Sequence, residues 1–189
     1  MSKRPIVKTG MGTTGKYFER AEFDSVWPFQ FMVSVVGLFL VLFEGSLGQW
    51  TLFYGATPLL SFIFVYYIAL HFEHILPIVA AVLMGLLSDL LFSDIIGARA
   101  LGYMFVIFVL QYRRQRLLQG DFLEIWTDFS IITSIVLLFQ FTMFSAINLA
   151  VPSTTPILFQ LGSTLIFFPI GYVVLFSITA LLHRARVSR

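Results

Sequence analysis

Two ionisable residues stand within otherwise apolar sequence, close enough to act together. Asp89 lies near the end of an apolar run from Ile75 to Phe92, and Arg99 opens the next run just across a turn, Ser93–Gly97. A charge at that depth in hydrocarbon is costly unless paired, so a network joining Asp89 to Arg99 is expected, with Asp94 as a competitor for the guanidinium. Asp89 follows Gly85 by four residues and Gly85 follows Ala81 by four, so the three share one helix face on which small residues admit a neighbouring backbone. Ala98 and Gly102 give the following segment a small face of its own. The rise from Ile75 to Asp89, about 21 Å, leaves the carboxylate about one turn from the end of its helix. The expected role is structural: a fixed hairpin and an interface.

Other residues suggest chemistry that their surroundings do not support. His71, Glu73 and His74 are suitable metal-ligand types, but no further His or Cys is placed to complete a shell, and an ordinary polar turn is expected. The stretch Gly10-Met11-Gly12-Thr13-Thr14-Gly15-Lys16-Tyr17 matches G-x-G-x-x-G and nearly matches a P-loop. Those motifs bind phosphate only between a strand and a helix N-terminus. Here only nine residues precede Gly10 and Tyr17 takes the hydroxyl position, so a basic tail near anionic lipid is expected instead. Gln140, Asn148 and Gln160 read as hydrogen-bonding glue between helices, and Pro169 with Gly171 should bend the last segment. Tyr112 to Arg116, Trp126 and His183 read as interfacial anchors. No Ser–His or Asp–His constellation appears, so no catalytic residue, metal or cofactor is expected.

The elements that must position these residues follow from composition. Of 189 residues 58% are apolar or aromatic and only 12% charged, with a mean hydropathy of +0.90. A soluble surface needs about twice that charge, and the chain lacks the high charge of disorder. The absence of cysteine excludes disulfides and thiolate sites. A net charge of +2 is too small to suggest a nucleic-acid partner. The natural solvent is the lipid bilayer.

Six apolar segments are readable: about Trp27–Phe43, Trp50–Phe72, Ile75–Phe92, Ala98–Tyr112, Ile125–Ala150 and Pro156–Leu182. The break at His71–His74 is short, and charge supports it. With six spans and both termini cytoplasmic, Lys3, Arg4, Lys8, Lys16, Arg20, Arg113, Arg114, Arg116, Arg184, Arg186 and Arg189 all lie inside, leaving Arg99 alone outside. The expected architecture is an all-α integral membrane protein, a six-helix transmembrane bundle. It divides into a polar cytoplasmic tail (1–26), a six-span domain (27–183) and a short basic tail (184–189). The first apolar segment reads as a retained signal anchor. Glu44–Gln49, Ser93–Gly97 and Val151–Thr155 are then short outer connections, with no internal repeat of the kind transporters show.

Three stretches together carry a resemblance. Pro58-Leu59-Leu60 opens a span, Met84-Gly85-Leu86-Leu87-Ser88-Asp89-Leu90-Leu91 ends one, and Ile96-Gly97-Ala98-Arg99-Ala100-Leu101 begins the next, with a basic stop after it. This resembles the rod shape-determining MreD family, whose pattern is Gly-Leu/Ile-x-x-Asp followed, after a short turn, by Gly-x-x-Ala-Leu. Pro169 also falls where that family tends to carry a proline. The chain departs from it in a longer polar tail, Lys3 to Asp24, and an undistinguished first span.

The resemblance implies a non-catalytic inner-membrane subunit of the bacterial cell-elongation machinery. Its partners would be the bitopic protein MreC, with the actin-like MreB, the polymerase RodA and its transpeptidase. Ala81, Gly85, Asp89, Gly97, Arg99 and Gly102 would form the structural and partner-interface motif, with an apolar face receiving the partner. The family is also similar in fold to the S components of ECF vitamin transporters, which supplies the alternative: a substrate-binding S component. Such a protein would often carry Ala-x-x-x-Ala on its first helix, and Phe31 to Phe43 has no such pair. An intramembrane enzyme using Asp89 or the His71–His74 turn is the remaining rival.

Overall fold

In the computed structural model each apolar segment becomes a helix: α1 Thr14–Leu47, α2 Leu60–His71, α3 Ile78–Phe92, α4 Ala98–Gln119, α5 Phe122–Asn148 and α6 Thr155–Val187. The structure describes the backbone of residues 14–48, 57–72, 76–92, 95–149 and 153–187, and among these the side chains from 27 to 181. The chain is an all-α membrane protein, as its composition requires. The short break around residue 73 does separate two helices, since α2 ends at His71 and α3 starts at Ile78.

The helix boundaries depart from the apolar runs in instructive ways. Helix α1 begins at Thr14, well before the apolar run, and α4 continues past Tyr112 through the basic residues to Gln119. Arg, Gln and Leu are good helix formers, so the end of an apolar stretch need not end the helix. The second helix starts later than Trp50: Thr57 to Leu59 are non-helical and α2 opens at Leu60. Pro58 disfavours helical geometry in the residue before it. Residues 49–56, which hold the expected start, lie outside the described residues.

Three helices, Trp27–Leu47 within α1, Phe122–Asn148 and Thr155–Leu181, are long and apolar enough to cross a bilayer by length and composition. Helix α2 has only 12 residues, nine of them buried. It is apolar all round because protein surrounds it, which is the behaviour expected of an enclosed helix. Helices α1, α4 and α6 pack on it. Aromatic rings fill the space between α2, α5 and α6. Phe129 stacks on Phe168 with centroids 4.0 Å apart, and Tyr66 meets Phe129 edge-on at 5.1 Å. Such pairs add about 0.5–1.5 kcal/mol beyond the area they bury.

Pro169 lies inside α6. Having no N–H, it leaves the carbonyl four residues earlier, Leu165, without its helical donor. The indole Nε1 of Trp126 donates to that carbonyl at 3.3 Å. Trp126 thus serves the bundle by satisfying a backbone group that hydrocarbon would leave bare, beyond the anchoring role its type suggests.

Candidate functional site: a buried charge network

The α3–α4 turn is organised by Asp89, which is fully buried at the end of α3. Its Oδ2 accepts the Gly97 N–H at 2.7 Å and its Oδ1 accepts the Arg99 N–H at 3.2 Å. Both donors belong to the start of α4, where backbone N–H groups lack helical acceptors and the helix dipole favours a negative charge. Gly97 reaches this position at φ +96, a left-handed conformation suited to glycine. Asp89 therefore closes the hairpin by capping α4 through its backbone. Asp94, the expected competitor, lies outside the described residues.

Arg99 turns its side chain inward. Its Nη1 donates to Ser88 Oγ at 2.7 Å and stands 3.5 Å from Glu44 Oε1, and its Cζ lies 4.2 Å from the centre of the Phe92 ring. Glu44 was expected in an outer connection, and the structure corrects this: it lies within α1 and is completely buried. Its Oε2 accepts both the N–H of Ser61 at 3.1 Å and the Ser61 hydroxyl at 2.6 Å. The Ser61 Oγ also pairs with Tyr103 OH at 2.7 Å. One carboxylate thus caps the start of α2 while facing an arginine from α4.

The irregular residues before α2 are held in the same region. Leu59 N–H donates to Thr164 Oγ1 on α6 at 3.1 Å. Thr57 and Leu59 are almost wholly buried, so this non-helical backbone is enclosed by protein, the condition under which it is tolerated at membrane depth.

The small residues set how closely the helices meet. A Cβ on Gly85 would lie 2.6 Å from the Ala100 nitrogen, so α3 and α4 touch backbone to backbone there. Ala81 is buried on the same helix. Gly102 faces elsewhere: a Cβ there would lie 2.6 Å from Val136 Cγ1 on α5. The small surface that α3 meets on α4 is thus Ala100, in place of the expected Ala98 and Gly102 face. Four residues separate 98 from 102, and Ala100 sits about 200° round the helix from each.

At the opposite end of α2 the basic residues of α4 take part. Arg114 donates from Nε to Leu70 O at 2.8 Å and from Nη2 to His71 O at 3.1 Å, covering the carbonyls that end α2. Arg113 pairs with Asp128 of α5, whose Oδ2 also accepts the Tyr66 hydroxyl at 3.1 Å. His71 is engaged with Tyr67 O through Nδ1 and with Tyr172 OH through Nε2, each at 3.2 Å. Glu73 and His74 lie outside the described residues, as do Gly10 to Thr13 and the His183 side chain. Among the described residues no three His, Cys, Asp or Glu gather to hold a metal.

Glu44 and Asp128 are the residues that sequence reasoning missed. Each is an acidic residue close to the end of an apolar run, where a charge ordinarily marks the interface. Neither position carries a sequence signal of its partners, which come from other helices.

No curated protein and no solved structure matches the chain. The family profile described as rod shape-determining protein MreD matches residues 25–182, which takes in all six apolar segments and both charge clusters. By that match over most of its length, with the Asp89–Gly97 hairpin at its centre, the chain belongs to the MreD family of rod shape-determining membrane proteins.

Proposed function

We propose that this protein is a non-catalytic scaffold of the bacterial inner membrane, multi-pass with both termini cytoplasmic. It would hold an MreC-like single-span protein and so place peptidoglycan synthesis, by RodA and its transpeptidase, along the cell body with MreB. The observation that carries this reading is the nature of the buried polar groups. Glu44, Ser61, Ser88, Asp89, Arg99 and Tyr103 hold one another and the helix starts, an arrangement suited to fixing helix positions. A buried ion pair is weak evidence of added stability, and we read this cluster as serving the specificity of helix packing. The positive-inside count supports the orientation, because only Arg99 falls outside and the bundle encloses it.

Depletion in a rod-shaped cell tests the reading directly. The expected result is rounding of cells and delocalised wall synthesis, restored by the full chain, together with co-purification of the single-span partner. Cells that keep their shape, or a purified protein that binds a vitamin tightly and no partner helix, would overturn it.

A further inference from the structure

Between the start of α4 and the facing halves of α5 and α6 lies an open groove of about 200 Å³. Leu137, Phe141, Phe144 and Ile157 give it apolar walls, and Gln140 and Gln160 line it from opposite helices. Arg99 contributes to its floor but is only 4% exposed, held by the network behind it. Gln140 and Gln160 are half-buried, and among the described residues neither side-chain amide has a hydrogen-bond partner. Of the residues expected to glue helices together, these two therefore present their amides to the groove.

Depth decides what could satisfy them. Gln140 lies eight residues, about 12 Å, below the end of α5 at Asn148, and Gln160 five residues, about 8 Å, below the start of α6 at Thr155. An amide at that depth faces hydrocarbon, where an unmet hydrogen bond is costly. Charge weighs against a lipid phosphate: Arg99 is matched by Glu44 and also abuts the Asp89 cap, so the floor offers no net positive charge. The face between α4 and α5 makes a contrast. It is larger, about 460 Å³, and lined by Leu101, Met104, Phe105, Phe108, Ile135 and Phe139, which acyl chains cover without stranding a polar group.

We propose that the α4–α5–α6 groove seats the transmembrane helix of the single-span partner, which presents an uncharged hydrogen-bonding side chain to Gln140 and Gln160 one to two turns inside the bilayer. This rests on the scaffold reading and names its docking surface. The partner then meets a mainly apolar groove carrying two amides, a more particular surface than the apolar face expected from the sequence.

The chain has no cysteine, so single-cysteine variants need no altered background. Phe144→Cys and Ile157→Cys in the groove, and Phe108→Cys on the α4–α5 face as control, are each co-expressed with the partner carrying cysteines walked along the corresponding half of its span. Membranes of the full complex are then oxidised. The expected result is disulfides to the groove variants at partner positions recurring every three or four residues, and none to Phe108→Cys. The double variant Gln140→Leu/Gln160→Leu should keep its yield and melting temperature while retaining about five- to tenfold less partner, the effect of about 0.6 kcal/mol for each interhelical hydrogen bond. Co-purification with disulfides only at Phe108→Cys, only between two copies of this chain, or nowhere, would overturn the groove assignment and leave the scaffold reading standing. Failure of the partner to co-purify with the unaltered chain would overturn both.

Discussion

The two ends of α2 are held by charge in different ways. At its start, Glu44 and Arg99 are almost completely enclosed, their partners are Ser61, Ser88 and Tyr103, and four helices contribute. At its end, Arg114 reaches the free carbonyls from the side, and Arg113, 43% exposed, pairs with a buried Asp128. Both arrangements complement the helix dipole, negative at the start and positive at the finish. They differ in access to alternatives. At the enclosed end a group that loses its partner finds no substitute, whereas the open end can draw on water and lipid headgroups. The enclosed end should therefore be brittle and the open end tolerant.

Heating the full chain in detergent and following the loss of its monodisperse form would test this contrast. The largest effect is expected from Glu44→Ala, which takes one carboxylate from beside the buried Arg99 guanidinium and leaves α2 without its cap. Removing one partner of such a pair costs about 3–5 kcal/mol. Glu44→Gln, which keeps an acceptor for Ser61, should be milder, and equal losses for the two would show that charge is not the cause. Arg114→Ala comes next, at about 1–2 kcal/mol, since two helix-end carbonyls lose a charged donor but lie near the interface. A loss matching that of Glu44→Ala would erase the distinction between the two ends.

Arg113→Ala should cost about 1–2 kcal/mol: the arginine is 43% exposed, so water can reach the site, but the buried Asp128 is left with the Tyr66 hydroxyl. A cost above that of Arg114→Ala would mean that the Asp128 pair behaves like the enclosed cluster. A smaller effect, about 1 kcal/mol, is expected for Trp126→Phe, which takes the donor away from Leu165 O. It should vanish in a Pro169→Ala background, where the helix supplies its own N–H; the double-mutant cycle reads that coupling directly.

What the sequence discloses and what it hides follow the same division. Asp89 and its backbone donors, Gly97 and Arg99, are eight to ten residues apart on either side of one turn, and local spacing makes such a hairpin readable. Glu44 meets Ser61 across 17 residues and Arg99 from a different helix altogether. Nothing near Glu44 in the chain announces those partners, and a glutamate closing an apolar run reads as the start of a loop. The six segments were visible from hydropathy, whereas the late start of α2 depends on Pro58 and on the protein around it. Gly102 shows a further limit: its spacing from Ala98 places both on one helix face but cannot say which neighbour that face meets.

The brevity of α2 bears on how the protein enters its membrane. Twelve residues rise about 18 Å, against roughly 30 Å of hydrocarbon. Inserted alone, α2 would leave its broken start and its final carbonyls to lipid, and Glu44 and Arg99 would each meet the bilayer unaccompanied. Every remedy comes from other segments: Glu44 from the helix made before it, Arg99 and Arg114 from the one made two helices later, Thr164 from the last. The contacts that complete the two ends of α2 therefore come from three other helices, α1, α4 and α6, and α2 reaches its finished surroundings only when all three are in place.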